Sequence, residues 1–159
     1  MTTTLPNINT SLRVREWTEQ LCRSLEDNYR NYKVRMLTSN SIRFSKPNDS
    51  VLGQRQDLSD YAIQQLKEIN DGVEGSLMKF RIIEGKKYFK VVNQEFRYGK
   101  WSDSSVNCFV NKLTGEVHKA ASWKSPVKGA RFDMRIIRHR ELMHNPDFTD
   151  WAGGYLYLR

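Results

Sequence analysis

Four cations and one phenol are spaced so that a single surface could hold a polyanion. Residues 77–92 read LMKFRIIEGKKYFKVV, two alternating runs on either side of Glu84-Gly85. In an extended chain alternate side chains share a face. With Glu84-Gly85 as a two-residue turn, the predicted pairing sets Ile83 opposite Lys86, Arg81 opposite Tyr88 and Lys79 opposite Lys90, with Phe80 opposite Phe89 and Met78 opposite Val91. One face then carries Met78, Phe80, Ile82, Phe89 and Val91, and the other Lys79, Arg81, Ile83, Lys86, Tyr88 and Lys90. The second set contains no acid. Its cations suit phosphates, and its ring offers an unstacked base a surface beside them. The same pattern also fits the wet side of an ordinary antiparallel sheet.

A second group lies in Ser122-Trp-Lys-Ser-Pro-Val-Lys-Gly-Ala-Arg131. Lys124, Lys128 and Arg131 are spread along a loop that Pro126 stiffens and Gly129 lets approach a ligand closely. Trp123 could stack on a base or plug the core. The GxxxxGK[ST] spacing of a phosphate-binding loop is absent. A third group, Arg135, Arg138, His139 and Arg140, extends the basic surface if the fold brings the faces together.

Other chemistries find little support. His139 and His144 are five apart, which does not put two imidazoles on one helical face, and no metal-ligand spacing is met. Cys108 and His118 could form a nucleophile–base pair, but the strand register predicted below places them on opposite faces. The chain is therefore expected to be non-enzymatic, with no catalytic residue, no metal and no cofactor.

Charge points the same way. The chain has 159 residues, a formal charge of +8 and a pI near 9.6. Residues 112–140 hold eight basic side chains against two acidic ones, and residues 141–159 are slightly acidic. A basic region of this kind suggests a polyanionic partner, nucleic acid first. No stretch approaches the roughly 20 apolar residues of a membrane helix. Two cysteines cannot build a disulfide framework, and the N-terminus lacks the pattern of a signal peptide, so synthesis inside the cell is expected.

The elements that must position these groups follow from periodicity. Residues 1–9 are polar, contain Pro6 and read as a flexible arm, with residues 10–159 as one domain. Val14, Trp17, Leu21, Leu25 and Tyr29 predict a helix over 10–29. Residues 33–46 look extended, with a turn at Thr38–Ser41. A second helix is predicted from Asp57, capped by Asp57 with Asp60 three residues on, striped by Leu58, Tyr61, Ala62, Leu66 and Ile69, and stopped at Asn70-Asp-Gly72. After the 77–92 hairpin, a loop through Tyr98 and Trp101 leads to strands 105–111 and 116–121 around Lys112-Leu-Thr-Gly115. Val110 then meets Val117, and Cys108 meets Lys119. A short helix at 135–143 and a final strand at 155–158 complete the chain. The expected fold is α+β: two helices from the N-terminal half packed on an antiparallel sheet of at least four strands.

Residues 104–132, SSVNCFVNKLTGEVHKAASWKSPVKGARF, resemble a segment of small bacteriophage and related viral proteins, mostly without assigned function. There an SV-x-x-FV strand leads through a TGEV-type turn into KAASWK, a proline, KG and an arginine, and KKYFKVV is similar to a preceding strand. The resemblance covers about residues 77–132. It implies a viral setting, in the host cytoplasm or in the virion, and supplies no catalytic residues. The expected function is nucleic-acid binding of low sequence selectivity, to DNA or RNA. The alternatives are a virion or accessory structural protein, using the arm and the aromatic tail Trp151–Tyr157 as protein contacts, and an inhibitor of a host protein.

Overall fold

A computed structural model describes residues 6–43 and 58–157, and the side chains of 12–39 and 58–157. Helix α1 (Pro6–Arg43) is 38 residues long. Pro6 suits the first turn, where its missing N–H has no helical partner to lose. Residues 6–9 of the expected arm belong to this helix, while residues 1–5 lie outside the described residues. Val14, Leu21 and Leu25 are fully buried along one stripe, with Trp17 packed beside them. The helix does not end near Tyr29. It continues through residues 33–43, where an extended segment and a turn were expected; residues 44–46 lie outside the described residues. The reason is tertiary. Val34 and Leu37 pack with Ala62, Leu66, Ile69 and Leu77, and this burial outweighs local strand preference.

Helix α2 (Asp60–Asp71) is capped by Ser59, whose side chain accepts from Ala62 N at 3.1 Å, and not by Asp57, which lies outside the described residues. It stops at Gly72, in the left-handed conformation at φ 69°. Ala62 and Ile69 are buried, whereas Tyr61, expected in the stripe, faces solvent.

Five antiparallel strands follow in spatial order β1-β2-β3-β4-β5: β1 (Lys79–Glu84), β2 (Tyr88–Arg97), β3 (Lys100–Asn111), β4 (Glu116–Lys119) and β5 (Phe132–Asp133). The β3–β4 register is the expected one, Val110 opposite Val117 and Cys108 opposite Lys119, with Gly115 at φ 76° in the turn. The β1–β2 register is not. Ile83 lies opposite Lys90, and Arg81 opposite Val92, because the turn runs over Gly85–Tyr88, closed by Gly85 N to Tyr88 O at 2.9 Å. The slip is four residues, an even number, so the paired strand residues keep their predicted faces, while Lys86, expected opposite Ile83, lies in the turn. The expected 98–103 loop is instead the tip of a long β2–β3 hairpin, with Tyr98-Gly99 between Arg97 and Lys100. Two register shifts interrupt that hairpin, between Val91 and Val92 and between Asn93 and Gln94. Strand β5 occupies a stretch expected to be loop.

Helix α3 (Ile137–Met143) packs near α1. Residues Gly154–Leu156 form a 3-10 turn where a strand was predicted; Leu158 lies outside the described residues. Gly153 at φ 86° turns the chain, and the Asp150 carboxylate accepts from Ala152 N and Gly154 N, holding the turn closed. The core sits between α1 and the sheet face bearing Phe80, Phe89, Val91, Cys108, Val110 and Val117, closed by Met134, Met143 and Leu156. Among the described residues no helix is long and apolar enough to cross a membrane.

The C-terminal segment is stitched to α1 by polar contacts. Ser24 and Thr149 hydroxyls meet at 2.8 Å, Asn28 bonds Pro146 O and Trp151 N at 2.9 Å each, and His144 Nε2 donates to Trp17 O at 3.0 Å. Burial lowers the His144 pKa from 6.5; the Trp17 carbonyl opposes this, and nearby Arg140 reinforces it. A group held neutral by folding supports stability above its unfolded pKa and loses that support as pH falls through its folded value. Stability should therefore fall on acidification below pH 6.5. His144→Gln, which keeps an N–H donor, should flatten that part of the profile. Half-buried Glu26 has a raised pKa and shifts stability the opposite way. Thermal melts of both proteins from neutral to mildly acidic pH isolate the histidine as their difference; parallel curves would remove it as the cause.

Candidate nucleic-acid interface

The sheet face turned away from α1 is only partly wet. Phe109 and Val92 are buried on it, although neither belongs to the main core. Tyr88 meets Phe109 and His118 edge-on, both with ring centroids 5.8 Å apart. Lys90 Nζ lies 5.8 Å from the Phe109 ring centroid. The alternation along β2, β3 and β4 places all five residues on this face.

The 120–131 segment folds back over it. Ala120 bridges to Pro126, Val127 N donates to Lys119 O at 2.7 Å, and Arg131 N donates to Val117 O at 2.8 Å. His118 Nδ1 is 3.1 Å from Val127 O, so that ring nitrogen carries the proton. The tip is bonded to itself: Ser122 Oγ accepts from Lys124 N and Ser125 N, and Ala121 N donates to Ser125 O. This rigid arch sets the Trp123 ring 4.6 Å from Lys90 Nζ, with 42% of the tryptophan still exposed. The hairpin face and the loop, separate in sequence, thus meet at Lys90 and Trp123.

The nine expected contact residues divide into two groups. Lys86, Lys124 and Lys128 are exposed and Lys90 is half-buried. None of these four forms an ion pair among the described residues. With the half-exposed Trp123 they remain open to a ligand. The others are committed elsewhere. Arg81 makes two bonds to Asp103, at 2.8 and 2.6 Å. That acid comes from β3, so the face is less purely basic than the hairpin alone suggested. The Arg81 guanidinium holds the Asp103 carboxyl below its usual range. Lys79 sits over the Trp101 ring at 4.4 Å, towards the far end of the strand. Arg131 Nε donates to Leu156 O at 2.8 Å, and its Nη1 to Gly129 O. Tyr88 is wedged between rings, with Lys87 Nζ 5.5 Å from its centroid. It braces the face more than it offers a stacking surface. Phe109 and His118 complete this aromatic group; the predicted strand register already put them on one face, but nothing local marked them as Tyr88's neighbours.

Three members of the third basic group, Arg135, His139 and Arg140, are engaged elsewhere, while Arg138 on α3 is exposed. Arg135 pairs with Asp133 at 2.7 Å, and His139 Nδ1 accepts from Asp133 N. Arg140 donates to Met134 O and lies 4.4 Å over Trp17, on the α1 side of the sheet. The aromatic tail is equally occupied. Trp151 packs on Tyr29 and Tyr32, Tyr155 OH donates to Asn107 Oδ1 at 2.7 Å, and Leu156 is buried, leaving Tyr157 exposed.

Cys108 and His118 occupy opposite faces, as the register requires. Burial pushes the Cys108 thiol up to about 12 and raises that of Cys22 as well, so neither is an activated nucleophile. Among the described residues no three His, Cys, Asp or Glu side chains are grouped to hold a metal ion.

Comparison with known proteins adds a family and no activity. No curated protein and no solved structure matches the chain. One family model matches residues 2–158, nearly the whole sequence, and the chain therefore belongs to the Family of unknown function (DUF7717).

Proposed function

We propose that this protein binds nucleic acid without catalysis and with low sequence selectivity, in the setting of a phage or virus. The observation that carries the reading is the meeting of Lys90 with the half-exposed Trp123 ring at 4.6 Å. It brings the hairpin, with exposed Lys86 in its turn, against the loop that carries exposed Lys124 and Lys128. Unpaired cations beside an open indole suit phosphates and a base together. Among these residues there is no recognition helix and no bidentate side-chain fork aimed outward, so selectivity among sequences should be weak. The viral setting rests on the resemblance of residues 104–132. A structural role through the aromatic tail is less well supported, since Trp151, Tyr155 and Leu156 serve the fold itself.

Fluorescence anisotropy with labelled single- and double-stranded DNA and RNA, across a salt series, tests this. Log affinity should fall linearly with log salt. Lys86→Glu with Lys90→Glu should weaken binding about tenfold or more at low salt, by analogy with lost phosphate contacts. Unchanged affinity in that variant would remove this surface from the site.

A further inference from the structure

The tip of the β2–β3 hairpin is a candidate contact that the basic-face reading does not include. Strand β1 pairs with β2 no further than Gln94, and β4 pairs with β3 no further than Cys108. Residues 95–102 therefore form a two-stranded ribbon with no strand on either side. The ribbon is held rather than loose. Phe96 and Trp101 pack at 5.2 Å, Trp101 Nε1 donates to Glu74 Oε1 at 2.9 Å, and Lys79 covers the indole. Phe96 lies so close to Gly75 that a Cβ there would be 2.4 Å from its ring.

At the tip, Arg97, Tyr98, Gly99 and Lys100 are all exposed, and Tyr98 is exposed completely. Tyr98 has φ 55° and Gly99 φ 74°. Two positive φ angles are what a tight hairpin turn requires, and Asn-Gly or Asp-Gly satisfies it with least strain. A bulky aromatic in the left-handed region is an outlier. The Tyr98 ring makes no hydrogen bond, ring contact or cation contact among the described residues. Nothing inside the fold offsets its conformational strain. A ring held in solvent between an arginine and a lysine suits a base whose neighbouring phosphates lie within reach of the two cations. Arg97 is ion-paired with Glu95 through one nitrogen at 2.8 Å, unlike Arg81 with its two bonds, so its other nitrogens stay open to a phosphate, and Lys100 forms no ion pair among the described residues.

We propose that Tyr98, flanked by Arg97 and Lys100, stacks on a base of single-stranded nucleic acid and forms a second contact point on the strand that crosses Lys90 and Trp123. This rests on the function proposed above. From residue 90 to residue 98 along β2 the two points are roughly 26 Å apart at 3.3 Å per residue.

The test is Tyr98→Asn, with Tyr98→Gly as a second variant, against a fluorescein-labelled oligothymidylate and a labelled duplex of the same length. Thermal melts accompany the titrations. Both variants relieve the turn, so Tm should stay level or rise. Affinity for the single strand should fall about fivefold or more, the scale of one lost stacking contact, with a smaller change for the duplex. Wild-type binding with unchanged affinity in both variants would overturn the tip contact and leave the basic surface standing. A lower Tm in both variants would overturn the strain argument. Wild-type protein that binds neither probe at low salt would overturn the proposed function and this contact together.

Discussion

Asn107→Ala should be among the most destabilising single substitutions in this chain, with a loss of about 3 kcal/mol or more. Asn107 is buried at the irregularity in β3, where Val91 faces Cys108 and Val92 faces Val106. An extra residue at such a point has no cross-strand partner, and its side chain is free to face a new direction. Asn107 uses that freedom fully. Its Nδ2 donates to Asp150 O at 3.2 Å and Trp151 O at 3.1 Å, and its Oδ1 accepts from Tyr155 OH at 2.7 Å. Alanine would leave a phenol and two carbonyls without this partner, at about 1–3 kcal/mol for each buried group that stays unsatisfied. Urea denaturation with an unchanged m-value measures the effect. A loss under about 1 kcal/mol would mean that water or a relaxed C-terminal segment replaces the amide.

The second large effect is on salt dependence. Changing Lys86, Lys90, Lys124 and Lys128 together to Gln removes the four expected contact cations that carry no ion pair among the described residues. Each phosphate contact on a single strand contributes about 0.7 to the slope of log affinity against log salt, so the slope should shrink by about three. Arg81→Gln is the control. Arg81 is already bonded to Asp103, so its loss should leave the slope nearly unchanged. A slope equally insensitive to both variants would move the phosphate contacts off this surface. Gln keeps most of the aliphatic stem and a polar end, and none of the four lysines is fully buried, so the fold should survive the fourfold change.

How much of this could be read from sequence depends on the range of the deciding contact. The β3–β4 hairpin was readable because Lys112-Leu-Thr-Gly115 and the Val110–Val117 alternation agree over a short loop. The faces of the 77–92 hairpin were readable although its register was not. Gly85 could close a two-residue or a longer turn, and an even slip preserves the face of each paired strand residue. The second half of α1 was not readable. Val34 and Leu37 read locally as strand, and only the distant Ala62, Leu66 and Ile69 make helix the better choice. For the candidate surface, composition and alternation indicated the cations. They could not tell free ones from engaged ones. Arg81 meets an acid 22 positions away and Arg131 a carbonyl 25 positions away, and neither pairing has a local signature. Tyr98-Gly99 was hidden for a different reason. Tyrosine is not a usual left-handed residue, so the pair reads as loop and not as the joint of a hairpin.

The contacts that fasten the last turns to α1 also set a schedule for synthesis. Those of Ser24, Asn28 and Trp17 reach across 118 to 127 positions. At translation speeds of roughly 5–20 residues per second, the helix emerges from the ribosome some 6 to 25 seconds before its partners do. For that interval the stripe of Val14, Leu21 and Leu25 has no C-terminal cover, and the meander alone can shield it. A nascent chain stalled before Asn145 should therefore be a better chaperone client than the finished protein, and ribosome pausing near the C-terminus should raise its aggregation.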